Sequence, residues 1–414
     1  MAQLSDDCFA FGGALLTVDA ARAMIVAQVG PVADTEYVGL LEADGRVLAV
    51  DVAAPVDLPP FDNSAVDGYA VRLAGLEHGG RLPVVGRLAA GALAQPLAAG
   101  TARRIFTGAA LPVGADTVFM QEDVRLDAGQ VELPAGLRPG ANTRPRGEDI
   151  AQGDTALRAG LRLRPQDLAL AAALGITMLP VRRPVRVALF STGDELIEPG
   201  QPTGPAQRFD SNRLLLAAMA RRAGARVTDL GILPDRLEAI TAAVLAAASD
   251  HDLILTSGGV SAGEEDHVRT AVEAIGRLVF WRLAVKPGRP VAMGVVDGVP
   301  FMGLPGNPVA AFVTFAQLAR PLIAALAGET LPTLPMLRVP AAFAYRKKAG
   351  RREYVRVRLL PGPDGLPVAH KHGVDGAGIL TSLTQTDGLA ELADDVLAVA
   401  PGDSVAVLPY ALLF

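Results

Sequence analysis

The sequence predicts a multidomain chain of the α/β plus β class, on three observations. Its 414 residues exceed what one hydrophobic core accommodates. Strand and helix patterns alternate from residue 182 to 327, as in a mostly parallel, doubly wound sheet. On both sides of this region, short Val/Leu runs broken by Gly and Pro are typical of β structure, at residues 56–139 and again beyond residue 331.

The N-terminal domain is expected to combine two segments that are distant in sequence. Val18–Val29 has helical periodicity behind Thr17, which suits the N-cap position, and Leu40–Val50 is predicted as a second helix. Residues 140–180 return to mixed helix and strand patterns. We therefore group 1–55 with 140–180 as one N-terminal linker domain on either side of the small β-rich domain.

The α/β domain, residues 181–330, is predicted element by element. Apolar runs of strand length occupy 185–190, 227–233, 253–256, 278–285, 291–296 and 299–303. Apolar residues three and four apart predict helices at 212–223, 236–248, 265–275 and in a segment that starts at Pro308. In such sheets ligands bind beyond the carboxyl ends of the strands, so the loops after those ends form the candidate site.

The C-terminal domain, residues 331–414, is predicted to consist of β structure. Helical periodicity stops after Pro332. The predicted strands are Leu337–Ala344, Glu353–Leu359, Pro367–Lys371 and Ser404–Leu408. The chain shows neither an internal repeat nor a low-complexity tail.

Composition excludes several classes of function. The net charge is −6 with both signs interspersed, and a nucleic-acid partner would require a basic stripe. Cys8 is the only cysteine, which excludes intrachain disulfides and thiolate metal clusters and fits a cytoplasmic location. The apolar run Leu168–Val181 is shorter than the roughly 20 residues that span a bilayer, so we expect no membrane contact. Met1–Asp7 shows no basic region followed by an apolar stretch, so we expect no secretory signal.

Three loops of the α/β domain share the chemistry of an oxyanion site. They are Thr256–Ser261, Lys286–Pro290 and Leu304–Pro308. The glycine pair in the first loop lets successive backbone N–H groups face one anion. The second loop carries two cations between prolines, and one of them is a lysine in a chain that has only four. The loops therefore predict a local cationic pocket for a phosphate-like group.

Glu195, Asp235 and Asp266 each lie just past a predicted strand end. Each carboxylate taken alone suits the first turn of a helix. Together, and near the cations of the second loop, they favour a site for a hard cation such as Mg²⁺, which prefers oxygen ligands.

A rival interpretation is a serine hydrolase, because residues 259–263 match the G-x-S-x-G pattern with Ser261 as nucleophile. Asp297 and either His370 or His372 keep the required order, and His78 begins a loop that resembles an oxyanion loop. The two downstream histidines, however, fall in another predicted domain, where they alternate as on an exposed strand face. The P-loop and H-E-x-x-H motifs are both absent.

Nine strings in chain order resemble the molybdopterin molybdenumtransferase (MoeA) family, which includes the gephyrin E-domain. They are Phe61–Ala70, Thr107–Ala109, Arg146–Ile150, Ser191–Leu196, Ser257–Ser261, Lys286–Gly288, Gly303–Pro308, Gly350–Tyr354 and Leu380–Ser382. The chain departs from the family pattern at Arg282 and Arg289, where lysine is frequent, and at Ala377, where serine is frequent.

The resemblance implies an elongated four-domain subunit that works as a homodimer, with the N-terminal domain in dimerisation and each cleft completed by the partner subunit. The implied reaction is Mg²⁺-dependent insertion of molybdate into adenylylated molybdopterin with release of AMP, the final step of molybdenum cofactor synthesis. Its partners would be a molybdopterin-adenylating enzyme and molybdoenzyme acceptors.

The resemblance also implies roles for individual residues. It assigns Mg²⁺ to Glu195 and Asp266, phosphate to Ser257, Gly258, Gly259, Val260 and Ser261, and molybdate to Lys286, Arg289, Arg351 and Ser382. Further catalytic positions are Asp62, Thr107, Asp149 and Asp235, and further substrate-binding positions are Ser191, Thr192, Pro305, Asn307 and Pro308.

Two alternatives keep the same resemblance. The adenylylating enzyme that acts one step earlier would need only the α/β domain, so the Asp62 segment and the C-terminal β domain argue against it. A non-catalytic scaffold, as in gephyrin-type domains, would be expected to carry a long linker or an interaction tail, and the sequence shows neither.

Overall fold

The computed structural model describes residues 15–32, 34–76, 78–258, 267–331 and 334–413. Its α-helices are α1 Val18–Gln28, α2 Pro165–Ala173, α3 Asn212–Arg222, α4 Leu237–Asp250, α5 His267–Ile275, α6 Pro308–Thr314, α7 Arg320–Ala327 and α8 Thr381–Thr384. A π-helical turn, Phe315–Ala319, joins α6 to α7. The predicted cap of α1 is confirmed, because the Ala20 N–H donates to Thr17 Oγ1 at 3.2 Å.

The strands before the α/β region pair segments that are distant in sequence. They are β1 Thr35–Gly39, β2 Val52–Ala53, β3 Asn63–Ser64, β4 Gly68–Val71, β5 Gly80–Leu88, β6 Ala102–Ile105, β7 Thr117–Met120, β8 Arg125–Asp127, β9 Gln130–Leu133, β10 Thr143–Arg144, β11 Thr155–Leu157 and β12 Met178–Arg182. β1 pairs with β12 and β2 with β11, both antiparallel. These pairings suit the grouping of 1–55 with 140–180, whose boundaries stay a prediction. The β-rich region forms one sheet in the order β7-β4-β6-β5-β9-β8.

The helix predicted at Leu40–Val50 is wrong. Leu41–Ala43 forms a single 3₁₀ turn, and the chain then runs extended. Val47 and Leu48 form isolated β-bridges with Arg162 and Val181, and the side chains of Val47 and Leu48 are buried. This burial outweighs local helix propensity, which is a weak preference.

A six-stranded sheet forms the centre of the α/β region. The strands of this region are β13 Arg186–Thr192, β14 Leu196–Ile197, β15 Arg208–Phe209, β16 Arg226–Leu233, β17 Leu253–Ser257, β18 Gly276–Arg282, β19 Val285–Lys286, β20 Pro290–Val296 and β21 Val299–Leu304. The spatial order is β16-β13-β17-β21-β20-β18. The first four strands pair in parallel, and β20 pairs antiparallel with both β21 and β18, so the predicted sheet is confirmed with a mixed edge.

Alternate residues of each central strand face opposite layers of helices. In β13, Val187 and Leu189 belong to the core that α1, α3, α6 and α7 cover. Ala188 and Phe190 belong to the core under α4 and α5. Because both faces are covered, the strands are continuous apolar runs, which is the pattern that predicted them.

One helical stretch of the described residues, 308–327, is long and apolar enough to cross a membrane. Most of it is buried inside the protein, as in the core helix of a globular domain. Leu318 and Leu322, for example, lie in the same apolar core as the strands of the central sheet. Its apolar character is therefore explained by packing.

The C-terminal sheet recruits one strand from the α/β region. The strands of this region are β22 Leu337–Pro340, β23 Tyr345–Arg346, β24 Arg352–Pro361, β25 Pro367–Lys371, β26 Gly388–Leu392, β27 Ala398–Val399 and β28 Ser404–Pro409. Of these, β23 and β27 pair with each other in a separate two-stranded sheet. The spatial order is β19-β24-β26-β28-β22, with β25 beside β24. The central strand β26 was not predicted, since a glycine and a glutamate interrupt its apolar pattern. With this sheet and the central one, the predicted mixed α/β and β class is confirmed.

The single strand predicted at 278–285 is wrong, because the chain divides there between two sheets. β18 ends at Arg282 on the edge of the central sheet. The Leu283 N–H then donates to the Arg289 carbonyl at 2.8 Å and closes a loop. Within that loop β19 pairs in parallel with Arg352 and Glu353 of β24.

Candidate functional site

Three parallel strands end together at one edge of the central sheet. Ser257 of β17 pairs with Ser191 of β13 on one side and with Leu304 of β21 on the other. Gly258 follows with φ +87°, a conformation that favours glycine, and its N–H donates to the Leu304 carbonyl at 3.0 Å. The polar loops after these strands therefore meet at this edge.

A cavity of about 500 Å³, here called the Lys286 cavity, lies between this edge and the C-terminal sheet. Its wall consists of Gly258, Lys286, Pro287, Gly288, Pro290, Pro305, Gly306, Asn307, Ala310, Tyr345, Glu353, Tyr354, Val355, Arg356, Asp375, Gly376 and Ala377. Gly288 has φ +105°, and a Cβ there would collide with the Thr314 hydroxyl. Only glycine therefore lets this loop pack against α6.

A buried carboxylate organises the cations of the Lys286 cavity. The Glu353 side chain is 1 % exposed and accepts hydrogen bonds from Tyr345 Oη at 2.7 Å and from Arg351 Nε at 2.7 Å. Lys286 Nζ donates to Tyr345 Oη at 3.1 Å and lies 3.4 Å from the Glu353 carboxylate. The Lys286 side chain is 51 % exposed, so the cavity presents the cation and hides the carboxylate.

The same contacts set the protonation of this cluster. Burial alone would raise the pKa of the Glu353 carboxyl, but hydrogen bonds from Tyr345 and Arg351 and the charge of Lys286 outweigh burial and lower it. Burial alone would lower the pKa of Lys286, but its contacts with Tyr345 and Glu353 prevail and raise it. Glu353 is therefore ionised and Lys286 protonated at neutral pH.

Arg356 is a second cation in the wall of the Lys286 cavity. It is buried, and its Nε donates to Ser382 Oγ at 3.1 Å. Its terminal nitrogen donates to the carbonyls of Val374 at 3.4 Å and Gly376 at 3.2 Å. These bonds fix the guanidinium beside the loop that completes the wall.

A second cavity, of about 230 Å³ and here called the Glu195 cavity, shares Gly258 and Gly306 with the first. Its wall consists of Thr192, Glu195, Leu196, Arg208, Phe209, Asp210, Ser211, Asn212, Ser257, Gly258, Gly306, Pro308, Gly378 and Leu380. Glu195 pairs with Arg208 at 2.7 Å, and Thr192 Oγ1 donates to Asp235 at 3.2 Å. The two cavities are therefore neighbours, separated by glycine backbone.

Asn212, the first residue of α3, holds this shared wall together. Its Nδ2 donates to Ser257 Oγ at 2.9 Å and to the Gly306 carbonyl at 2.8 Å. Its Oδ1 is buried and has no hydrogen-bond partner among the residues that the structure describes. Because Ser257 Oγ accepts from Asn212, its own proton remains available to a ligand.

Eight of the residues named from sequence line these two cavities. They are Gly258, Lys286, Pro305 and Asn307 in the first, and Thr192, Glu195, Ser257 and Pro308 in the second. Asp235 lies behind the second wall, bonded to Thr192. Ser191 is fully buried, and its hydroxyl has no partner within the described ranges.

Three residues assigned to molybdate from sequence lie outside the walls of both cavities. Arg289 is exposed, and its carbonyl is bonded within its own loop. Arg351 is paired with Glu353 at 2.6 Å, and Ser382 is buried against Arg356. Arg356, which was not named from the sequence, lines the Lys286 cavity, and Ser382 contacts it from behind.

Asp62, Thr107 and Asp149 belong to the β-rich side of the chain and line neither cavity. Asp62 Oδ1 accepts the Arg146 N–H at 2.7 Å. Thr107 donates to Asp67 Oδ1 through both its N–H, at 2.8 Å, and its hydroxyl, at 2.7 Å. These residues form a second group of exposed polar loops.

Gly259, Val260, Ser261 and Asp266 lie outside the described residues, whereas His78 is described and is exposed in a turn. The hydrolase alternative can still be examined through Asp297. Asp297 lies in the turn before β21, whereas the site lies at the far end of β21, roughly 20 Å away for six residues. That separation argues against an acid role for Asp297 beside Ser261.

Tyr345, Glu353, Arg356 and Asn212 were missed as site residues. A sequence signal exists only for Glu353, a charged residue at the start of the apolar run of β24. Tyr345 and Arg356 become relevant only because β19 joins the C-terminal sheet. Asn212 was interpreted as the first residue of a helix, which is also its position in the structure.

Comparison with known proteins agrees with this architecture. A family model described as the MoeA N-terminal region (domain I and II) matches residues 16–175. A probable molybdopterin binding domain matches 188–325, and the MoeA C-terminal region (domain IV) matches 338–410.

Full-length relatives match as well. The molybdopterin molybdenumtransferase of Haemophilus influenzae is 38 % identical and covers 96 % of this chain and 99 % of its own. That of Bacillus subtilis is 31 % identical over 91 % of this chain and 90 % of its own. The crystal structure of the molybdopterin biosynthesis MoeA protein from Pyrococcus horikoshii OT3 has a TM-score of 0.81 at 29 % identity, covering 96 % of this chain and all of that one.

The fold and the two adjoining cavities define a multidomain protein whose α/β domain packs against a C-terminal β domain, the architecture of the molybdopterin-related transferases that it matches. The relatives match this chain over nearly its whole length, at identities that establish common descent. The chain belongs to the MoeA family, the molybdopterin molybdenumtransferases of molybdenum cofactor synthesis.

The Glu353 cluster generates a stability prediction. We expect Glu353→Gln to lower the free energy of unfolding by about 2 kcal/mol, because Lys286, Arg351 and Tyr345 lose a buried acceptor. The exposed Glu42→Gln serves as the control, and urea unfolding measures both.

The pH dependence of that difference has a definite sign. The folded-state pKa of Glu353 lies below its ordinary 4.5, so the contribution is full above pH 4.5 and is lost as the pH falls through the folded-state pKa. An equal loss of stability in both variants, or a difference that grows in acid, would contradict the role given to Glu353.

Proposed function

We propose that this protein inserts molybdate into adenylylated molybdopterin and releases AMP. One observation carries the proposal: the Lys286 cavity and the Glu195 cavity meet at Gly258 and Gly306. An oxyanion in the first cavity and a phosphoanhydride in the second would meet where the two cavities adjoin, along backbone that carries no side chains to keep them apart.

The Lys286 cavity suits molybdate, which is a tetrahedral dianion. Lys286 offers a half-exposed cation whose pKa is raised by Tyr345 and Glu353 against the effect of burial, so its charge persists above neutral pH. Arg356 adds a fixed guanidinium in the same wall. Charge-assisted bonds from such groups are stronger than neutral ones.

The Glu195 cavity suits the phosphate end of the substrate. The hydrogen-bond donors that it offers differ from those that the sequence predicted. The Gly258 N–H is occupied by the Leu304 carbonyl and is not free for phosphate. The Ser257 hydroxyl, held by Asn212, supplies a donor at the same place. Arg208 lines this cavity too and adds positive charge next to Glu195.

The residues of the Glu195 cavity fit Mg²⁺ as a cofactor. The wall presents hard oxygen donors, the Glu195 carboxylate and the orphaned Asn212 Oδ1, with Asp235 behind Thr192. Among the described residues no three His, Cys, Asp or Glu side chains form a cluster, so water and substrate oxygens would complete the shell. When bound, Mg²⁺ would neutralise charge on the leaving phosphate.

A homodimer would bring the exposed polar loops that carry Asp62, Thr107 and Asp149 to the reaction site. Asp62, Thr107 and Asp149 are exposed, yet in one chain they line neither cavity. In a two-fold dimer the same surface of each subunit faces its partner, so these loops would complete the cleft of the other subunit.

The activity is tested by AMP release from adenylylated molybdopterin on addition of molybdate and Mg²⁺. Lys286→Gln is expected to lower the rate about 100-fold at a fixed molybdate concentration, because it removes a cation from the reacting oxyanion. Glu195→Gln is expected to need roughly tenfold more Mg²⁺ for half-maximal rate. Lys348→Gln, which removes an exposed lysine outside both cavities, is the matched control.

The same assay distinguishes molybdate insertion from the alternative activity, adenylylation of molybdopterin. If the protein transferred AMP from ATP to metal-free molybdopterin and released none on molybdate addition, it would be the adenylylating enzyme. A wild-type rate in Lys286→Gln would remove the assignment of the Lys286 cavity.

Subunit sharing is tested by mixing two inactive variants, Asp62→Asn and Lys286→Gln. If the cleft combines both subunits, dissociated and reassociated mixtures regain about a quarter of wild-type activity, since half the dimers carry one intact site of two. Asp62→Asn mixed with Thr107→Ala is the control, because both variants damage the same side of the cleft. Activity in neither mixture or in both would contradict sharing.

A further inference from the structure

A third cavity, here called the arginine cavity, has a volume of about 110 Å³. Its wall includes Arg162, Arg222, Arg320, Glu329 and Leu413. Arg222 ends α3, whose first residue holds the wall between the other two cavities. The eleven residues of α3 span roughly 16 Å, so the arginine cavity lies away from the proposed reaction.

Arg162, one of the three arginines, donates hydrogen bonds to protein groups through all three of its guanidinium nitrogens. Arg162 pairs with Glu329 through Nε at 3.1 Å and a terminal nitrogen at 2.5 Å. It also donates to the carbonyls of Gly45 at 2.7 Å and Ala223 at 3.1 Å. Arg162 therefore braces the wall and neutralises Glu329, the only acidic residue that lines the cavity in the described chain.

The other two arginines are left with unused donors. Neither Arg222 nor Arg320 makes a side-chain hydrogen bond or an ion pair with the residues that the structure describes. Arg320 is half-buried, and burial, together with the nearby charges of Arg162 and Arg22, lowers its pKa despite the opposing charge of Glu329. Holding such a guanidinium without an anion costs free energy.

Charge and size together define the missing partner. Three arginines and one glutamate leave the wall with a net charge of two positive, which a dianion balances and chloride does not. The volume equals that of about four water molecules, enough for a tetrahedral oxyanion but too small for a nucleotide. We propose that the arginine cavity is a binding site for a small tetrahedral dianion of the phosphate class, held by Arg222 and Arg320.

Such an anion would tie together parts of the chain that are distant in sequence. It would join the end of α3 to the start of α7 and to the segment carrying Arg162. α7 continues the helical stretch that starts at Pro308 in the wall of the Glu195 cavity. The bound anion would therefore stabilise both helices that reach the proposed reaction site.

The experiment is thermal unfolding of the full chain in phosphate and in chloride at equal ionic strength, with calorimetric titration of inorganic phosphate. We expect phosphate to raise the Tm of the wild type by roughly 3 °C. Arg320→Gln and the surface variant Arg222→Gln should each lose most of this shift. Arg221→Gln, which removes a neighbouring charge outside the cavity wall, should retain it.

Lys286→Gln separates this site from the proposed reaction site. It should keep the phosphate-dependent shift, whereas loss of the shift in Lys286→Gln alone would place the phosphate in the Lys286 cavity and overturn the proposal. The proposal is also overturned if the wild type shows no shift and Arg320→Gln lowers Tm equally in both buffers, because carboxylates of the chain itself would then neutralise the arginines. Neither result bears on AMP release.

Discussion

The short parallel pairing of Val285–Lys286 with Arg352–Glu353 is the constraint on which the proposed site depends. It takes a loop of the α/β domain out of its own sheet and fixes it to the C-terminal sheet. Lys286 thereby comes to lie beside a carboxylate that is distant in sequence, and the space between the two sheets becomes a cavity with one cationic wall. Without this pairing, Lys286 would be one exposed lysine on a loop.

Electrostatics and backbone shape have different roles in the site: Glu353 positions the cations, and the glycine backbone lets the two cavities adjoin. The buried carboxylate of Glu353 holds Lys286 and Arg351 in place and keeps the lysine charged, while its own charge is hidden from a ligand. Gly258 and Gly306 line both cavities, which therefore adjoin along backbone that carries no side chains. Asn212 then fixes that wall from the side of the helices. Charges that the fold holds in place can stabilise charge that develops on a bound anion without first reorganising.

Sequence reasoning predicted the fold where one local pattern decides it and failed where tertiary pairing decides it. The strands and helices of the α/β domain follow from apolar periodicity, and Thr192, Ser257 and Pro305 at the strand ends line the two cavities. The helix expected at Leu40–Val50 and the continuous strand at 278–285 were overridden by pairing with distant segments. Arg356 and Tyr345 were missed for the same reason, since their place in the wall depends on which strand β24 accepts as a neighbour. The family resemblance supplied Asp62, Thr107 and Asp149, which line neither cavity in one chain, so their proposed role depends on a second subunit.

The central claim is that molybdate and the nucleotide phosphate occupy adjoining cavities across Gly258 and Gly306. Crystals of the protein soaked with molybdate and AMP, with anomalous scattering at the molybdenum edge, measure this most directly. The account predicts molybdenum within hydrogen-bonding reach of Lys286 and Arg356, and the AMP phosphate beside Ser257 on the other side of the glycine wall. Both anions in one cavity, or molybdenum bound away from Lys286 in a crystal that contains the dimer, would contradict it.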